Sequence, residues 1–94
     1  MPKYEVAHIR EQGVDLIIIP LDNSFRFKSE QDQDAIVSEL QARASSAGLA
    51  GTVVPVWDNG GGRMAFKAPR NFHSFFKSID LRFVAANVNR ELHW

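Results

Sequence analysis

Cysteine is absent from this chain of 94 residues. Its absence excludes disulfides, thiolate chemistry and cysteine-based zinc sites, and makes a reducing, cytoplasmic setting the expected one. An excess of charge is missing too. Lys and Arg number 11 and Asp and Glu number 11, so the formal net charge is zero. A globally basic, nucleic-acid-type surface is thereby excluded, and a phosphate-binding role must rest on a local patch. The longest apolar run, Leu16–Leu21, is far below the roughly 20 residues of a membrane-spanning helix, so no membrane partner is expected. Met1–Arg10 mixes charged and apolar residues, which does not read as a signal peptide.

What is present suits a packed core: 45% of the residues are hydrophobic and 11% aromatic. The length allows one domain, 1–94, and not two. Lys3–Arg10 alternates loosely around Tyr4, Val6 and Ile9 and reads as a strand. Glu11-Gln12-Gly13 reads as a three-residue hairpin loop with Gly13 in the left-handed position. Val14–Leu21 is apolar on both faces and is expected to be a central strand ended by Pro20. Leu21–Lys28 reads as a loop, or as a loop with a short extended piece at Phe25–Lys28. Ser29 opens the one long helix. It can cap Asp32, and Glu30, Asp32 and Asp34 complement the positive end of the helix dipole. Ile36, Leu40, Ala44 and Ala47, with Val37 beside them, form the apolar stripe, and Gly48 is the stop.

The second half is organised around a glycine turn. Thr52–Trp57 and Arg63–Ala68 are strands joined through Asp58-Asn59-Gly60-Gly61-Gly62. Pro55 predicts that the first of them lies at an edge or carries a bulge. After Pro69, Asn71 is placed to cap a short helix, Asn71–Ser78, whose Phe72, Phe75, Phe76 and Ile79 lie on one stripe. Leu81–Asn89 reads as a further strand and Glu91–Trp94 as a tail, with Trp94 folding back on the body. The expectation is an α+β domain in the order β-β-α-β-β-α-β, with one mostly antiparallel sheet and one long and one short helix packed against it.

No motif fixes a reaction. Serine-nucleophile signatures are absent, and His8, His73 and His93 lack a second ligand at metal spacing, so no cofactor or metal is expected. Three features can carry binding. The first is the glycine turn: consecutive N–H groups around Gly61 can cradle an anion, with Arg63 as a bidentate donor. The simpler reading is a solvated hairpin tip, since phosphate loops lead into helices. The second is the segment 63–77. Between Asn59 and Ile79 stand Arg63, Lys67, Arg70, Lys77 and His73 with no acid. Phenylalanines are interleaved with them, as single-stranded nucleic acid requires. Against this, Phe72, Phe75 and Phe76 fit a core stripe. The third is Phe25-Arg26-Phe27-Lys28, which as a strand would put its rings on one side and its cations on the other. Trp57 beside Asp58 and Arg63 could line a pocket mouth, with His73 near it.

The function expected from the sequence is a small non-enzymatic binding or assembly module. Its partner would be another protein or a second copy of itself, a homodimer built on an edge strand or a helix face. The alternatives are a nucleic-acid-binding domain using 63–77 and a small-molecule-binding protein or enzyme with a pocket near the glycine turn.

Overall fold

The structure, a computed structural model, describes residues 3–11 and 13–93. Its first hairpin pairs β1 (Lys3–Glu11) with β2 (Val14–Pro20), and Glu11 faces Val14. The connection is therefore one residue shorter than expected. Gly13 takes a φ of 79°, and Gln12, like Trp94 of the expected tail, lies outside the described residues. Proline ends β2 as predicted, because it has no N–H to continue the ladder.

Leu21–Lys28 does not extend. Asp22 caps a 3-10 turn, Asn23–Phe27, by accepting from the Ser24 N–H at 2.9 Å. Residues two apart in such a turn point in different directions, so Phe25 is buried while Phe27 is 77% exposed. The expected ribbon with both rings on one side is therefore not formed.

The long helix, α1 (Glu30–Ser46), starts where the sequence places it. Ser29 Oγ accepts from the Asp32 N–H at 3.1 Å. Leu40 and Ala44 are buried and Ile36 and Val37 pack beside them, but Ala47 is exposed, so the stripe ends one turn early.

The chain then returns as β3 (Thr52–Asp58), parallel to β2, and turns into β4 (Met64–Phe66). Arg70–Phe72 is a 3-10 turn and His73–Ser78 is α2. Asn71 does not cap; Pro69 and Phe72 occupy the cap positions without a side-chain bond. The expected strand at Leu81–Asn89 is instead a helix, α3 (Leu81–Ala86), and the strand comes later as β5 (Arg90–His93). The physical reason is local: Asp80 accepts from the Phe83 N–H at 2.8 Å, and the Asn87 side chain donates to the Phe83 carbonyl at 2.8 Å. A short apolar run without these caps reads equally well at either period.

One mixed sheet results, in the order β4-β3-β2-β1-β5, antiparallel except between β2 and β3. The class is α+β, and β2 is central, as its apolar run requires. Alternation along the strands builds a core on each face. Val6, Ile17, Ile19, Val53 and Leu92 meet α1 through Leu40 and Ala44. Ala7, Leu16, Ile18, Val54 and Val56 meet Phe76 of α2 and Val84 of α3. The Cα radius of gyration, 12.4 Å, is that of one compact body of this length, about 12 Å. Among the described residues, no helix is long and apolar enough to cross a membrane.

Pro55 is not at an edge, because β3 lies between β2 and β4. A strand residue points its N–H and C=O to the same side. The Pro55 carbonyl accepts from the Lys67 N–H at 3.1 Å, on the β4 side. Its missing N–H faces the same way, just past the Val56–Asp58 stretch that β4 covers. Proline is tolerated there because the ladder on that side is already ending.

Two carboxamides close the sheet where a neighbouring strand stops. Gln41 of α1 donates through Nε2 to the Gly51 carbonyl (3.1 Å) and accepts through Oε1 from the Val53 N–H (2.8 Å). Asn89 serves His8 in the same way, accepting from its N–H and donating to its carbonyl, both at 2.9 Å. Each takes the place of a missing strand residue and blunts an open edge.

Candidate functional site

The glycine turn is held by its own backbone. Asp58 Oδ1 accepts from the Gly60 N–H (2.8 Å), the Asn59 N–H donates to the Arg63 carbonyl (2.8 Å), and the Arg63 N–H donates to the Gly60 carbonyl (3.2 Å). The N–H groups of Gly61 and Gly62 have no partner among the described residues. Gly61 sits at φ 63° with nothing within 4 Å of where a Cβ would be. The turn therefore needs left-handed backbone there but not space.

Folding brings the third sequence feature to this turn. The Arg26 guanidinium lies 3.5 Å from the Cβ position of Gly60, and its carbon stands 4.6 Å from the centroid of the exposed Phe27 ring. Arg63 is exposed in the same turn. Beneath this corner, Phe25 meets Trp57 edge-on, with ring centroids 4.9 Å apart. Trp57 is buried at 8% exposure, and its indole N–H has no partner among the described residues. It supports the corner from below and presents little of itself to solvent.

The basic residues of 63–77 are divided. Arg63 is at the hairpin tip. Lys67 follows β4 on the α1 face, where its Nζ stands 3.1 Å from Asp34 Oδ1. An acid absent from the local sequence thus arrives from the long helix. Arg70 and Lys77 are exposed on the segment whose Phe72 and Phe76 cover the opposite face. His73 is half-buried. Its Nε2 lies 2.9 Å from the Ala68 carbonyl, which only accepts, so that nitrogen carries the proton. Its ring stands edge-on to Phe66 at 5.3 Å. The aromatic stripe packs against the sheet: Phe76 is buried and Phe72, Phe75 and Ile79 are packed against the same core.

Three clefts on the described surface lie away from the glycine turn, and none is lined by Trp57, Asp58, Arg63 or His73. One of about 400 Å³ opens between the β1–β2 hairpin and α2. The sequence held no sign of it, because its walls, residues 11–16 and 71–78, are joined only through the fold. Among the described residues, no group of three His, Asp or Glu side chains is placed to hold a metal ion. Comparison of the chain with protein-family models, with curated proteins and with solved structures finds no match.

Proposed function

We propose that the protein is a non-enzymatic binding or assembly module and that its contact surface is the corner formed by the 3-10 turn and the glycine turn. The observation that carries this is Phe27. A phenylalanine 77% exposed loses favourable burial unless a partner covers it. Arg26 holds its ring from one side, and aromatic and arginine side chains are the usual anchors of interfaces. The partner in this reading is a protein, with a second copy of the chain as the first to test. Sheet extension is the weaker route to such a dimer, because the edge strands β4 and β5 have only three and four residues.

A nucleic-acid reading has one specific support, at this same corner. Arg26 stands over an exposed ring and reaches the glycine turn that carries the exposed Arg63. Among the described residues, two glycine N–H groups of that turn have no protein acceptor. Single-stranded nucleic acid uses such combinations of stacking and charge.

Sedimentation equilibrium over a wide concentration range tests the module. Wild type is expected to associate, and Phe27→Ala to weaken association about tenfold or more at an unchanged melting temperature. Polarisation of a labelled single-stranded oligonucleotide at low and high salt tests the second reading, since phosphate contacts weaken steeply with salt. A wild type that stays monomeric throughout removes the homodimer, and one that binds no oligonucleotide removes the nucleic-acid reading.

A further inference from the structure

The cleft between the first hairpin and α2 carries an inference independent of that corner. Its volume, about 400 Å³, lies within the range of roughly 300–1,000 Å³ typical of small-ligand sites. Leu16 and Val14 line it from β2, and Phe72 and Phe75 from the helical segment opposite. Val14 is 38% exposed here, an apolar side chain left facing an opening rather than the core.

The charged lining is one-sided. Among the described residues Glu11 is the only charged side chain of the lining, and its carboxylate has no hydrogen-bond or ion-pair partner there. Among the described residues no lysine or arginine lines the cleft. Ser78 Oγ donates to the Phe75 carbonyl at 2.6 Å, which spends its proton and leaves its oxygen as an acceptor facing the same space. The lining thus combines a carboxylate, a hydroxyl acceptor, the polar side chains of Asn71 and Ser74, two aromatic rings and aliphatic surface.

We propose that this cleft binds a small organic ammonium, an amine carrying an apolar group. Glu11 supplies the opposite charge, and the rings of Phe72 and Phe75 line the same space, where a ring face attracts a cation through its quadrupole. Val14 and Leu16 cover the apolar group. An anion is opposed by Glu11, and a neutral apolar molecule leaves the carboxylate without a partner.

The ammonium can belong to a free amine or to a lysine side chain of another protein, and the test separates these sources. The ¹⁵N-labelled full chain is titrated with 2-phenylethylammonium, with its neutral counterpart 2-phenylethanol, and with Nα-acetyl-lysine methylamide, following backbone amide shifts. The expected result is saturable shifts at Val14, Ser74 and Phe75 with one of the two cations, and binding of the alcohol weaker than 2-phenylethylammonium by about tenfold or more. Tighter binding of the lysine derivative assigns the source to a protein side chain, and tighter binding of the amine assigns it to a free ligand. Glu11→Gln should weaken the bound cation about tenfold and leave the alcohol unchanged. Glu11 is at a strand end and not in the core, so the variant keeps the fold, which unchanged amide spectra elsewhere verify. Equal affinity for alcohol and ammonium, retention of ammonium binding in Glu11→Gln, or no saturable shift at the cleft with either cation overturns the proposal.

Discussion

Phe76→Ala and Phe27→Ala delete the same atoms from opposite surroundings. Phe76 is 1% exposed and stands against Ala7, Leu16, Ile18, Val54, Val56 and Val84. Its ring centroid lies 5.2 Å from that of Phe75 and 5.3 Å from that of Phe66. Truncating it removes the transfer free energy of a buried ring and leaves a cavity between helix and sheet, a loss of about 3–5 kcal/mol. A domain of this length has a total stability of about 5–14 kcal/mol, so the variant should be near its limit. The melting temperature should fall by about 12–40 °C, at roughly 4–8 °C per kcal/mol. Phe27 is 77% exposed, and among the described residues its only ring contact is the Arg26 guanidinium at 4.6 Å, an exposed pair worth about 0.5–1 kcal/mol. Its truncation should cost at most that. Paired urea melts measure both, and an unchanged m shows that the unfolded states are comparable. If Phe76→Ala falls within about 1 kcal/mol of wild type, or if Phe27→Ala loses as much as Phe76→Ala, the helix does not pack on the sheet as described and the exposed corner is not a free surface.

A glycine comparison gives a second check. A Cβ on Gly51 would lie 2.5 Å from the Asp15 carbonyl oxygen at φ 123°, so Gly51→Ala should cost about 2–5 kcal/mol from overpacking and backbone strain together. Gly61→Ala, in open space at φ 63°, should cost only about 1 kcal/mol; the reverse ranking in denaturant melts would refute this. Gln41→Ala should lose about 1–3 kcal/mol by leaving the Gly51 carbonyl and the Val53 N–H without their side-chain partner, and should speed hydrogen exchange at the Val53 amide. Unchanged exchange there would show that the carboxamide does not hold the edge.

Much of the fold was legible because it is encoded locally. The Ser29 cap, the position of α1, the apolar β2 and the glycine hairpin each depend on residues within one or two turns of one another. Local chemistry also explains the error at Leu81–Asn89, where the apolar spacing suits both periods and Asp80 tips the balance to helix. Pro55 shows the limit of a rule applied without topology. It marks a position with no N–H to give, and here that position lies in an internal strand at the end of a short neighbour, where its carbonyl alone is paired.

The candidate sites were less legible. Residues 26–27 and 60–63 were each notable in the sequence, yet nothing in the sequence places Arg26 beside Gly60. The cations of 63–77 look like one patch along the chain. Strand alternation and the turn into α2 divide them, and Asp34 is brought to Lys67 from a helix more than thirty residues earlier. The cleft lined by Glu11, Phe72 and Phe75 had no sequence signal at all. By itself the sequence determined composition, element periods, caps and turns, because these rest on neighbours within a few residues. Tertiary structure alone decided strand order, the surroundings of each charge and the shape of the surface, because these depend on contacts between segments that the crossover through α1 and the return of β5 bring together.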